Sequence, residues 1–95
     1  MNAVRQEYLA LMTEFVNGTI SASEFELRYI EKFKGEQRPL DEWTYRILDE
    51  VFGHVDAYCG DAELYEQVAV ENPDWPLNEA QLRQKVRDAA ARLAV

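Results

Sequence analysis

A single cysteine, a single histidine, three prolines, four scattered glycines and no long apolar run set the first limits on this chain. Cys59 has no second cysteine to pair with, so an intramolecular disulfide is excluded and a reducing compartment such as a bacterial cytoplasm is expected. No stretch approaches the roughly 20 apolar residues that a bilayer-spanning helix needs. The first residues lack the basic, apolar and small-residue succession of a secretory signal. Neither a membrane partner nor export is expected. His54 and Cys59 also bound the chemistry. One histidine cannot supply the two Glu-x-x-His pairs of a di-iron bundle, although Glu50 stands one helical turn before it. A calcium loop opened by Asp56 fails because Tyr58, Gly60, Asp61 and Gln67 stand where ligands and the turn glycine belong. On a helix His54 and Cys59 diverge by about 140°, so the thiol reads as a small hydrophobe and not as an activated nucleophile. The glycines form no phosphate-cradling loop. Asp49, Glu50 and Asp56 are close enough to couple, but no pocket is evident around them. No cofactor, no metal and no catalysis are expected.

Positive charge is scarce in one region above all. Between Asp41 and Glu79 eleven acids (Asp41, Glu42, Asp49, Glu50, Asp56, Asp61, Glu63, Glu66, Glu71, Asp74 and Glu79) face one base, Arg46. The preceding forty residues are nearly balanced and the last sixteen run positive, giving a formal net charge of -8. Crowded like charges cost stability through self-repulsion, so the block suggests a surface built to meet something basic. The alternative is a solvated face that keeps the chain soluble. Nucleic acid is a poor direct partner, since its phosphates would meet negative charge, and a basic protein is a better one.

What is present is apolar content for a core: 47% hydrophobic residues, eleven of them aromatic, in 95 residues. That is one domain, residues 1–95, without the signature of disorder. Strand-like alternation is missing, and the predicted architecture is all-α, a compact antiparallel four-helix bundle. Val4, Tyr8, Leu11, Met12, Phe15 and Val16 repeat at helical spacing until Asn17-Gly18 supplies a left-handed stop. Ser21 and Glu24 form a predicted capping box for a second helix lined by Phe25, Tyr29 and Phe33 and ended near Gly35. Asp41 caps a third helix, with Leu40 as half of a hydrophobic staple. On its wheel Trp43, Ile47, Leu48, Val51, Phe52 and Val55 cover roughly one half. Glu42, Asp49 and Asp56 fall within about 40° of each other on the opposite side. Glu50 lies nearer the apolar edge, and His54 reads as a boundary histidine. Residues 61–71 read as an extra short helical piece, Asn72 to Pro76 as a loop, and Asn78 with Gln81 as the cap of a final helix carrying Leu82, Val86, Ala89, Ala90 and Leu93.

The run Phe15-Val16-Asn17-Gly18-Thr19-Ile20-Ser21-Ala22-Ser23-Glu24-Phe25-Glu26, followed by Ile47-Leu48-Asp49-Glu50-Val51-Phe52 and Val55-Asp56-Ala57-Tyr58-Cys59, resembles the colicin D immunity family, also called bacterial self-protective colicin-like immunity proteins. Members also accompany toxins of contact-dependent growth inhibition. The resemblance implies a four-helix bundle that binds a cognate toxin nuclease, commonly one that cleaves tRNA, and blocks its active site. The expected mode is one-to-one inhibition of a basic domain; a monomer suits it, and the repulsive acidic face disfavours self-association through that surface. Asp49, Glu50, Asp56 and Asp61 coincide with the family's acidic third-helix region. Glu42, Glu63, Tyr58 and Trp75 join them from the wheel and the loop, Trp75 being either a cap on the core or an exposed anchor. The rival reading is an acidic helical adaptor for a basic partner that is not a toxin.

Overall fold

A computed structural model describes residues 3–58, 66, 67, 70 and 76–94, and these contain four helices. They are α1 (Ala3–Val16), α2 (Ala22–Lys34), α3 (Glu42–Ala57) and α4 (Glu79–Leu93). Local signals set the ends. Gly18 adopts φ 80°, the left-handed value that L side chains resist. Ser21 accepts from the Glu24 amide at 3.1 Å, but the Glu24 carboxylate takes Arg28 one turn on instead of completing the box. A nearby guanidinium outcompetes a backbone amide for that carboxylate. Asp41 accepts from the Thr44 amide at 3.0 Å, and Asn78 with Gln81 forms a full reciprocal box. Of the predicted piece at 61–71, Glu66, Gln67 and Val70 have helical backbone geometry; the rest lies outside the described residues.

Each helix packs on two others, α1 on α2 and α4, and α3 on α2 and α4. Every neighbouring pair runs antiparallel. The end of α1 meets the start of α2 where Phe15 stacks on Phe25 at 4.6 Å, and the end of α2 meets the start of α3 where Phe33 faces Tyr45 at 6.1 Å. Arg92 at the end of α4 reaches Trp43 in the first turn of α3 and Glu50 at its middle. Tyr8, Met12, Phe15, Phe25, Tyr29, Ile47, Leu48, Val51, Val55, Leu82, Val86 and Leu93 are fully buried. An aromatic chain runs through this core from Phe15 via Phe25, Tyr29 and Phe33 to Phe52 and Tyr45 at the α2/α3 surface.

The α2–α3 linker is tied to α1 by charge. Arg38 pairs with Glu36 at 2.7 Å and with Glu7 at 2.9 Å, Lys32 pairs with Glu7 at 2.6 Å, and the Tyr8 hydroxyl donates to Glu36 at 3.1 Å. Hydrogen bonds from Arg38, first of all, hold both carboxyls well below the ordinary 4.5, at about 2. Carboxyls depressed on folding stabilise the protein above their unfolded value and lose that contribution as pH falls through the folded one. Urea titrations across pH are therefore expected to show stability falling between 4.5 and about 2. The fall should be shallower in Glu7→Gln/Glu36→Gln and in high salt, which screens the exposed Glu7. An equally steep fall in the double variant would assign the acid sensitivity elsewhere.

Candidate acidic docking face

The buried side of α3 (Thr44, Ile47, Leu48, Val51 and Val55) fixes the rotation of the helix, and with it what faces out. Thr44 is locked by its own network, accepting from Arg5 at 2.8 Å and donating to Asp41 at 2.7 Å. Glu42, Asp49, Glu50 and Asp56 are consequently all exposed, as the wheel predicts. The three-dimensional neighbours then separate them. Glu42 accepts from Arg46 at 2.6 Å, and Glu50 accepts from Arg92 of α4 at 2.6 Å. Asp49 and Asp56, about 10.5 Å apart along the helix axis, have no ion-pair partner among the described residues. Glu26 approaches Asp56 from α2. Burial, and then the charge of Asp56, push its carboxyl above the ordinary range. Glu26 thus adds a carboxylate beside Asp56 on the α2 side of α3.

The opposite edge of α3 is different. Trp43, placed on the apolar half by the wheel, is 50% exposed and lies under the Arg92 guanidinium at 5.9 Å. Packing of α4 brings that cation onto the ring, so the indole forms a cation–π contact at the rim in place of entering the core. His54 sits half-buried on the same side. Burial and the neighbouring Lys85 pull its pKa down against the opposing pull of Glu50, leaving a neutral imidazole at pH 7. Tyr58 caps α3, forms a bridge with Leu77 and packs on the core, so its ring is only partly accessible. Asp61, Glu63 and Trp75 lie outside the described residues. No group of three or more metal-ligating side chains occurs among the described residues.

One feature of the face escapes a wheel drawn on one helix, and a second lies open on it. Glu26 is thirty residues from Asp56 in sequence, and only the packing of α2 on α3 brings them together. Tyr45, Asp49, Phe52 and Asp56 follow one another at steps of four, three and four residues along the α2 edge, alternating aromatic and acid. That spacing was available as a signal. Gly53 lies on the outer ridge beside them, and a Cβ there would meet nothing within 4 Å among the described residues. Its helical cost, about 0.5–1 kcal/mol relative to alanine, is offset by no close packing among the described residues. Gly53→Ala is expected to raise stability by about that amount in urea unfolding; a loss would reveal a constraint at this position. The bare ridge leaves room for another chain to approach the helix closely.

No helix among the described residues is long and apolar enough to cross a membrane. Neither a curated protein nor a solved structure matches the chain significantly. The profile of the bacterial self-protective colicin-like immunity family matches residues 3–93, nearly the whole chain and all four helices. Such a family implies a protein that neutralises a toxin by binding it. On that match the chain belongs to the bacterial self-protective colicin-like immunity family.

Proposed function

We propose that the toxin is a nuclease, and that this protein inhibits it one-to-one in the cytoplasm by laying the acidic α3 face over its basic RNA-binding site. The observation that carries the reading is the trio Asp49, Asp56 and Glu26: exposed or half-exposed carboxylates without an ion-pair partner among the described residues, in a family of toxin binders. A nuclease that cleaves tRNA must present Lys and Arg to phosphate, and carboxylates complement the same site. Opposite potentials speed encounter, while a desolvated centre slows dissociation. The inhibitor performs no chemistry of its own. The test is titration against the C-terminal domain encoded by the gene immediately upstream, with tRNA cleavage as readout. One equivalent is expected to abolish cleavage, and low salt to accelerate the onset of inhibition. Unimpaired cleavage at saturating protein would remove the nuclease reading. Binding to a basic partner without toxin activity would favour an adaptor.

A further inference from the structure

The acids do not stand alone on the α2 side of α3. Between them the two helices leave an apolar seam, with Phe33 and Ile30 from α2 and Tyr45 and Phe52 from α3 all short of full burial. Phe33 lies 5.4 Å from Phe52 and 6.1 Å from Tyr45, so the internal aromatic chain surfaces here. Tyr45 is 50% exposed. At the linker end of the seam a cavity of about 340 Å³ is lined by Phe33, Glu36, Arg38, Leu40 and Tyr45. Its charged wall is already neutralised, because Glu36 and Arg38 pair with each other and Arg38 pairs again with Glu7. The cavity therefore suits an uncharged side chain. Farther along the seam, Asp49, Asp56 and Glu26 offer carboxylates with no ion-pair partner among the described residues.

We propose that the α2/α3 seam is the groove in which the toxin domain docks, the Phe33–Leu40–Tyr45 cavity receiving an apolar or aromatic side chain and Asp49, Asp56 and Glu26 receiving the Lys or Arg side chains that flank it. This rests on the toxin-binding reading above and locates it on one edge of α3. Charge complementarity selects the occupant. A second copy of this chain would bring acid to acid, and an uncharged partner would leave three carboxylates facing nothing. The two halves of the groove have separable duties: exposed carboxylates govern encounter, and the filled cavity governs residence time.

The experiment measures association and dissociation of the catalytically inactivated upstream toxin domain by stopped-flow and surface-based kinetics, with circular dichroism of every variant. Tyr45→Ala is expected to raise koff by about tenfold or more with kon within about threefold, and Tyr45→Phe to behave like the natural protein. Tyr45→Lys keeps an alkyl stem over Phe33 and so preserves the fold; it is expected to show the same faster dissociation. Asp49→Asn/Asp56→Asn/Glu26→Gln is expected to lower kon about tenfold at low salt with little change in koff. Trp43→Ala, on the α4 edge, is expected to be neutral. If Trp43→Ala speeds dissociation and the Tyr45 variants do not, the seam is overturned while toxin binding stands. If the unaltered protein fails to bind the domain, both readings fall together.

Discussion

Replacing Asp49 and Asp56 together with lysine is expected to slow association with the toxin domain by about a hundredfold at low ionic strength. The size follows from the local balance of charge. The two substitutions move the α2 edge of α3 by four charge units, and neither aspartate has an ion-pair partner among the described residues that would mask the change. The defect should shrink as salt is raised, because at 1 M the Debye length is about 3 Å and long-range steering disappears. Helicity should be unchanged, since both side chains point to solvent and make none of the caps or core contacts. Stability should hold or rise slightly, because lysine at 56 would attract Glu26, which Asp56 now repels. The matched control is Glu42→Lys/Glu50→Lys. It changes formal charge equally but acts on carboxylates already paired with Arg46 and Arg92, and it frees those guanidiniums for solvent. Equal slowing by both doubles would mean that net charge alone governs encounter. No slowing by either would take the acidic face out of the interface.

The difference between those two doubles is also the difference between what could be read from the sequence and what could not. Caps are local, so Asp41 and Asn78 are legible within three residues of their partners, as is the left-handed stop at Gly18. The rotation of α3 is legible because Ile47, Leu48, Val51 and Val55 repeat at helical spacing and leave Glu42, Asp49 and Asp56 outward whatever lies beyond. Which edge of α3 meets which neighbour is a property of the assembled bundle. Trp43 and Tyr45 are both aromatic and stand about 160° apart on the wheel. Nothing in their spacing says that one will lie under Arg92, 49 positions away in the chain, and the other beside Phe33. The same holds for charge: Arg92 neutralises Glu50 across 42 positions of sequence, while Glu26 adds to Asp56 across thirty. An acidic block counted along the chain therefore overstates the face at Glu42 and Glu50 and omits Glu26. At Ser21 the local rule itself yields, because Glu24 has Arg28 within reach.

Removing the Tyr29 ring is expected to be the most damaging single change to the fold. Tyr29→Ala should cost about 3–5 kcal/mol, a large share of the 5–15 kcal/mol that holds a typical domain together. The ring is fully buried and meets Phe25 at 5.5 Å, Tyr8 at 5.8 Å and Phe33 at 6.1 Å, so its loss opens a void where α1, α2 and α3 converge. The hydroxyl adds a separate, smaller contribution. It donates to the Leu48 carbonyl at 2.7 Å, and burial pushes the phenol well above its ordinary value of 10, so it remains a donor throughout the accessible pH range. Tyr29→Phe keeps the packing and loses only that bond. Because the Leu48 carbonyl already accepts from the amide four residues on, the cost should lie near the low end of about 0.5–1.5 kcal/mol. Urea unfolding followed by far-ultraviolet circular dichroism separates the two variants, provided the m-values agree. A Tyr29→Ala loss below about 1 kcal/mol would mean that the helices collapse into the void as alanine-rich cores can, and Phe33 would then shift with them. The toxin kinetics would report that shift, because Phe33 forms the floor on which Tyr45 rests. A Tyr29→Phe protein that keeps its stability within 1.5 kcal/mol but dissociates faster from the toxin would show that the bond to Leu48 sets the spacing of the α2/α3 seam.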